Sequence, residues 1–221
     1  MLRNGCVGLV LAFMVGTALA DGPKDNLPDQ VRQIPPLGVE VPLADREALQ
    51  RGLNSLAEAI SRLQASKDAK VRDLLPDVQI FHRAVHDALV HNEFFVAADI
   101  KKGKELLEIG LKRAEQLSSG SAPWTTQTGL IPRGYVSKID GSVQLYGVVV
   151  PASYANVGLG KVRLDIWLHG RGETLSEVNF LDQRLKQAGQ FTPADTIVLH
   201  PLNFVTNPAT RHASTRSSLN P

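Results

Sequence analysis

The sequence predicts an α/β domain that is preceded by an all-α region of three helices, and three observations support this fold class. Apolar residues recur at alternating steps of four and three as far as about residue 117, which is the period of an amphipathic helix. After Trp124 the period changes to two, which is typical of half-buried strands. Two apolar runs in this second part are separated by a helix signal, and strands that alternate with a helix indicate a parallel sheet.

The helical region is predicted over residues 45–119, with Asp45 as the N-cap of the first helix. Pro76 is expected to begin the second helix, and the third helix is expected over about residues 97–117. Three amphipathic helices with short connections form a helical hairpin or a small bundle. The positions that share the apolar faces are Leu49, Leu53, Leu56, Ile60, Leu63, Val78, Phe81, Val85, Leu89, Leu107, Leu111, Ala114 and Leu117.

Two histidines on the second helix have a spacing that metal ligands use. His82 and His86 are one turn apart, which is the spacing that two zinc ligands use on a helix. However, Arg83 stands where a zinc hydrolase has its glutamate, and the sequence places no third ligand. A solvated or partly packed helix face is the better interpretation, so we expect no metal and no other cofactor.

The second part of the chain has the pattern hairpin, strand, helix, strand. Residues 133–139 and 142–150 flank Asp140-Gly141, which is a strong hairpin signal. Residues 162–168 form the next predicted strand. Thr174-Leu175-Ser176-Glu177 reads as a capping box that begins a helix, with Gly189 as its stop. The apolar run at residues 196–199 is typical of a central parallel strand.

Polar residues follow both parallel strands where each strand ends. His169, Gly170, Arg171 and Gly172 follow the first strand, and His200 follows the second. Ligands of α/β sheets bind beyond the carboxyl ends of the parallel strands, so these residues are expected on one rim. Glycines leave the backbone N–H groups free to point toward a ligand, and such donors stabilise an oxyanion by on the order of 3 kcal/mol each in the transition state. The alternative, a glycine turn without chemistry, remains open on so short a motif.

The N-terminal residues predict export. Arg3, an apolar core over residues 7–15 and Ala18-Leu19-Ala20 have the pattern of a signal peptide that is cleaved after Ala20. Cys6 is the only cysteine, so the mature chain has no disulfide, and we expect a secreted or periplasmic protein. No membrane association is expected after cleavage. The net charge of +2 does not favour a nucleic-acid partner.

The segments GYVSKIDGSVQLYGVVVPASY, RLDIWLHGRGE and DTIVLHP resemble the opening of secreted bacterial α/β-hydrolases of the prolyl-oligopeptidase and esterase type. APWTTQTGLIPRGYVSKIDGSVQ resembles the joint between a helical N-terminal extension and such a hydrolase. In that family the loop after the third strand supplies part of the oxyanion hole. The resemblance implies that His169, Gly170 and Gly172 shape this loop and that the Arg171 N–H is the main donor. It also implies that the Arg171 and Glu173 side chains line a cleft for an ester or peptide substrate, and His200, on the same rim, is a further candidate for that cleft.

The sequence departs from that family in one important respect, because it contains no Gly-x-Ser-x-Gly nucleophile elbow. After Pro201 the chain is rich in Ser, Thr, Asn and Arg, so we expect a truncated or frame-shifted, inactive hydrolase with a disordered tail. A non-catalytic periplasmic module, in which the helices bind a partner, is the alternative. The predicted organisation is a signal peptide (residues 1–20), a Pro-rich linker (21–44), a helical domain (45–119), the first part of an α/β-hydrolase domain with an incomplete sheet (125–201) and the tail (202–221).

Overall fold

The first half of the fold is a layer of helices. The computed structural model describes residues 35–154, 162–168, 170 and 172–202. The helices of this half are α1 (Leu43–Gln64), α2 (Ala69–Leu74), α3 (Pro76–Val90) and α4 (Ala97–Ser118). α1, α3 and α4 pack against one another through the predicted apolar faces, whose members are buried with the exception of half-buried Leu111. The period therefore predicted the three long helices, whereas the short α2 was not predicted.

The start of α1 differs from the prediction. The helix begins at Leu43 with Pro42 as its N-cap residue, so the assignment of Asp45 as N-cap was wrong. Asp45 lies in the first turn, where its carboxylate accepts a hydrogen bond of 2.6 Å from the Lys104 ammonium of α4. A carboxylate at this position also interacts favourably with the helix dipole.

The last part of the predicted Pro-rich linker is packed against the helices. The Gly38 N–H donates to the Asn92 carbonyl at 2.8 Å, and the Val39 N–H donates to the Phe94 carbonyl at 2.7 Å. A side chain on Gly38 would overlap both of these carbonyls, so only glycine fits here. Val41 is buried in the same core as the helices.

The second half of the fold is a mixed four-stranded sheet with one helix. Its elements are β1 (Gly129–Val136), β2 (Val143–Val150), β3 (Arg163–Ile166), α5 (Glu177–Lys186) and β4 (Thr196–Pro201). The strand order is β1-β2-β4-β3, in which β1 and β4 are antiparallel to β2 and β3 is parallel to β4. Helices and a mixed sheet confirm the α/β class.

The last strand lies inside the sheet. Because the predicted sheet is incomplete after residues 196–199, this central-type strand would be expected to form an unprotected edge. That expectation is wrong, because β4 pairs with β2 on one side and with β3 on the other. Among the described strands, β1 and β3 form the edges. Leu164 and Ile166 of β3 are exposed, so the apolar strand that lacks a second neighbour is β3.

The helices and the sheet share one hydrophobic core. Core residues from α1, α3 and α4 are continuous with Ile131 of β1, Leu145 of β2 and Val178 of α5. The described residues belong to one compact unit. The predicted linker at residues 118–123 therefore marks a change of secondary structure within that unit.

Asp77 of α3 joins the two halves. Its carboxylate is 1% exposed and accepts hydrogen bonds from Trp124 Nε1 (2.9 Å), Arg133 Nε (2.9 Å) and the Gly134 N–H (2.7 Å). Nearby, the guanidinium of buried Arg113 donates to the carbonyls of Asp77 and Pro132. The same guanidinium lies 5.0 Å from the ring centroids of Phe81 and Trp124. A polar cluster thus fixes β1 on the helices.

A second buried acid lies after α3. Glu93 is 4% exposed, and its Oε1 has no hydrogen-bond partner among the described residues. Burial, and to a smaller extent the charge of Asp87, raises the pKa of Glu93 to about 7.

The predictions for the two ends of the chain lie outside the described residues. These are the signal peptide at residues 1–20, most of the Pro-rich linker and almost all of the predicted tail. None of the helices that the structure describes is long and apolar enough to cross a membrane.

Candidate functional site

A cleft of about 790 Å³ lies beyond the carboxyl ends of β3 and β4. This volume is in the range of small-molecule sites. Its walls come from the loop after β3, from α5 and the segment that follows it, and from the start of α4. The described lining residues are Phe95, Val96, Asp99, Lys102, Trp167, Leu168, Gly170, Gly172, Thr174, Leu175, Asn179, Phe180, Gln183, Arg184, Gln187, Gly189, Gln190 and His200.

The loop after β3 is held at the rim by the last part of the parallel pair. The Trp167 N–H donates to the Leu199 carbonyl of β4 at 2.9 Å, which continues the β3–β4 pairing past the end of β3. The Trp167 ring stacks on Phe191, with centroids 5.0 Å apart and planes 9° from parallel. The first residues of the loop therefore place an aromatic pair at one side of the cleft.

The N-terminus of α5 is capped by a different residue from the one that the sequence indicated. Ser176 is the N-cap, and its hydroxyl accepts a hydrogen bond of 3.2 Å from the Asn179 N–H. The assignment of Thr174 as the cap of a Thr174–Glu177 capping box was therefore wrong. Glu177 is instead the first helical residue, and its carboxylate forms an ion pair with Arg83 at 3.1 Å. The helix therefore begins two residues later than the motif suggested.

The predicted site residues fall into three groups. Gly170, Gly172 and His200 line the cleft, and His200 is 2% exposed on the side of β4 that faces the helices. Glu173 is exposed and is not among the described lining residues, which differs from the expectation for its side chain. His169 and Arg171 lie outside the described residues, so the donor role of the Arg171 N–H stays a prediction.

One wall of the cleft is a polar network that links α4 to α5. Asp99 accepts hydrogen bonds from Lys102 (2.8 Å), Asn179 (3.2 Å) and the Val96 N–H (3.1 Å), and Lys102 also donates to the Asn179 side chain at 2.6 Å. Burial opposes ionisation of Asp99, but these hydrogen bonds and the Lys102 charge outweigh it and lower the pKa of the carboxyl. Asp99 is therefore an ionised structural carboxylate.

Another part of the cleft lining was not anticipated from the sequence. Gln183, Arg184 and Gln187 of α5 and Gln190 beyond it line the cleft with amide and guanidinium groups. Arg184 is the most buried of the four, and its ring contact is with Phe180, whose centroid lies 5.7 Å away. The glycine-loop motif does not point to these residues, although the spacing of Gln183, Arg184 and Gln187 places them on one side of the predicted helix.

The histidine pair on α3 does not lie in this cleft. The His82 and His86 rings stack with centroids 5.8 Å apart, and His86 Nδ1 lies 2.9 Å from the Asp87 carboxylate. Burial and, less strongly, the neighbouring His86 lower the pKa of His82 against the opposing effect of Asp87. Among the residues that the structure describes, no group of three His, Cys, Asp or Glu side chains could hold a metal ion.

A comparison of the chain with family models, curated proteins and solved structures finds no match. The chemistry of the cleft must therefore be argued from its own residues. These provide glycine backbone at a strand end, a capped helix N-terminus, a buried histidine, a buried guanidinium and an aromatic pair. Such a set can orient an organic substrate and stabilise developing negative charge, but the described lining residues include no serine or cysteine that could act as a nucleophile.

Proposed function

We propose that the chain carries the opening part of a serine-hydrolase-type α/β domain, with residues 167–176 as its oxyanion loop. The observation that carries the proposal is the course of this loop, which leaves the carboxyl end of β3 and leads directly into the capped N-terminus of α5. In α/β-hydrolases the loop between the third strand and the following helix supplies one oxyanion donor. Gly170 and Gly172 line the cleft from this loop, which supports that role.

The sheet supports the same proposal. An antiparallel hairpin leads into a parallel pair that is joined through α5, as expected for the beginning of such a domain. Within the described part of the sheet, β1 and β3 are the edges, and β3 is the edge that belongs to the parallel pair, so we place a further parallel strand of such a domain next to β3. The nucleophile elbow of this family lies on a later strand, and a strand beside β3 would bring it to the same rim as the loop.

The chain as given is proposed to be inactive. An oxyanion loop stabilises charge only after a nucleophile has attacked, and the sequence has no Gly-x-Ser-x-Gly. The second oxyanion donor in this fold is the N–H that follows the nucleophile, so it is missing with the elbow. The substrate class of the complete site would be an ester or a peptide, and the N-terminal pattern supports export to the periplasm or beyond.

Two experiments test the proposal. The first is translation, in all three frames, of the DNA beyond the codon for His200. A Gly-x-Ser-x-Gly codon run in any frame is expected, and its absence from all frames would remove the support for a hydrolase lineage. The second is incubation of the purified chain with a fluorophosphonate probe and with p-nitrophenyl acetate. We expect neither labelling nor turnover, whereas stoichiometric labelling of one serine whose mutation abolishes ester hydrolysis would show that the chain has a nucleophile outside the elbow pattern.

If the first experiment finds an elbow, the chain extended in that frame provides a further test. Its fluorophosphonate labelling should occur at the elbow serine, and exchange of that serine for alanine should abolish it. An extended chain that folds but is not labelled would favour the alternative, a non-catalytic binding module.

A further inference from the structure

The most unusual group in the cleft is the Arg184 guanidinium. Arg184 is 9% exposed, and its Nε and Nη1 atoms are buried without a hydrogen-bond partner among the described residues. Burial lowers the pKa of Arg184, although a guanidinium remains protonated. A buried, unpaired charge is costly, and an unsatisfied group of this kind in a folded protein calls for an explanation.

The position of Arg184 is built into the fold. Its aliphatic stem crosses β2 at Gly147, where a side chain on that residue would overlap the Cβ, Cγ and Cδ atoms of Arg184. Near the tip, Nη1 lies 3.5 Å from where the Cβ of a residue at position 189 would be, and Gly189 has a φ of +93° that favours glycine. Two glycines thus make room for the stem and the head of this one side chain.

No carboxylate in the described part of the cleft neutralises Arg184. The described lining residues include two cations, Arg184 and Lys102, and one carboxylate, Asp99. Asp99 is already bonded to Lys102, Asn179 and backbone N–H groups. Among the described lining residues, Arg184 is therefore the charge that lacks a counterion, and the cleft favours an anion.

The shape and lining of the cleft indicate the kind of anion. Nε and Nη1 flank Nη2, so each fork of the guanidinium includes one donor that lacks a partner. A planar carboxylate fits such a fork with two parallel hydrogen bonds. The exposed Trp167 ring, which stacks on Phe191, lines the cleft and offers apolar surface to the rest of the ligand. An organic carboxylate with a ring or acyl body matches both features.

We propose that the cleft binds an organic carboxylate through Arg184, so that the substrate or its acyl part is acidic. This inference rests on the proposed function in taking the cleft as the substrate site, but binding requires neither the nucleophile nor turnover. Inorganic phosphate shares the negative charge but not the planar geometry or the apolar body, and it is therefore the second anion to be tested.

The test is isothermal titration calorimetry of the full chain with 3-phenylpropionate, with its neutral isostere 3-phenylpropionamide and with inorganic phosphate. We expect 3-phenylpropionate to bind at least about tenfold more tightly than the other two, which is the lower range for a hydrogen-bonded charged group. The proposal would be overturned if 3-phenylpropionate and 3-phenylpropionamide bound equally. It would also be overturned if a chain that melts cooperatively did not bind 3-phenylpropionate. Tighter binding of phosphate would reject the carboxylate as the ligand.

Variants connect the binding to Arg184. Arg184→Gln should weaken 3-phenylpropionate binding by about tenfold or more, and Arg184→Lys should restore part of it because the charge remains and the fork is lost. Arg72→Gln, on an exposed face of α2, is the matched control and should bind as the wild type does. Unchanged binding by a folded Arg184→Gln would refute the role of this residue. Failure to find a nucleophile elbow would reject the hydrolase proposal and leave these measurements unaffected, so the two failures are distinguishable.

Discussion

Replacement of Asp77 by alanine tests whether the helices and the sheet form one cooperative structure. The substitution removes the acceptor of three donors, which are Trp124 Nε1, Arg133 Nε and the Gly134 N–H. A buried donor without a partner costs about 1–3 kcal/mol. The Arg133 side chain is 24% exposed and can recover part of its loss from water, so the sum is discounted to about 3–5 kcal/mol, which is typical of breaking a buried ion pair.

The assay is urea denaturation of wild type and Asp77→Ala, followed by far-UV circular dichroism for the helices and by tryptophan fluorescence. Trp124 lies at the junction, so in the wild type both signals should change at one midpoint. Asp73→Ala, on the exposed side of α2, is the control and should change the free energy of unfolding by no more than about 0.5 kcal/mol. A loss below about 1 kcal/mol for Asp77→Ala, or well-separated wild-type transitions, would show that Asp77 does not join the two halves.

Three further predictions concern buried residues of different kinds. Leu56 is fully buried, so Leu56→Ala should lower the free energy of unfolding by about 2–5 kcal/mol; little change would show that α1 does not face a core. Burial raises the pKa of Glu93 from its ordinary value of 4.5 to about 7, so the native form holds a proton that the unfolded form releases near pH 4.5. The free energy of unfolding should therefore fall as the pH rises from about 4.5 to 7. Glu93→Gln should remove on the order of 3 kcal/mol of this pH-dependent loss of stability, as measured by melting at pH 5 and pH 8. Glu58→Gln, at an exposed position, is the control and should leave the loss unchanged. Arg184→Met should raise the free energy of unfolding by about 1 kcal/mol or more, whereas Arg113→Met should lower it. Equal effects of the two substitutions would show that Arg184 is no less satisfied by the fold than Arg113.

The helices could be predicted because their signal is local. An apolar residue at every third or fourth position specifies one helix face whatever it packs against, and Leu49, Leu56 and Phe81 are buried as the period requires. The hairpin was also predicted, with Gly141 at a φ of +72°, but its ends were not. β1 begins at Gly129, before Pro132, which a strand interior disfavours but an edge strand tolerates.

The turn of the hairpin is longer than Asp140-Gly141 suggested. The Ser137 N–H donates to the Ser142 carbonyl at 2.8 Å, and the Asp140 carboxylate accepts from the N–H and the hydroxyl of Ser142. These bonds within the loop replace strand pairing, and Ile139, which was predicted to lie in a strand, is exposed in the turn. Because local polar side chains form these bonds, β1 ends earlier in the chain than its apolar pattern predicted.

The order of the strands could not be read from the chain. Residues 196–199 have the apolar composition of a central strand, and β4 is central, but the partner on its far side is the earlier strand β2. Pairing between residues this far apart depends on how the helices cover the sheet, and no local period records it. The same holds for the cleft, where the glycine loop was found from its motif but Arg184, a polar residue on an amphipathic helix, looked like an ordinary surface position.

Two of the arginines that the structure describes are buried, and their contacts distinguish a structural arginine, Arg113, from a better candidate for ligand binding, Arg184. Arg113 donates to two carbonyls and lies over two aromatic rings, so the fold itself satisfies its guanidinium. Arg184 has a comparable burial and one aromatic contact, but the described residues give its Nε and Nη1 no acceptor. Gly147 and Gly189 nevertheless leave the space that Arg184 occupies. Because the unpaired charge gives the fold no stability, the arrangement is explained if the missing acceptor is supplied by a ligand in the cleft.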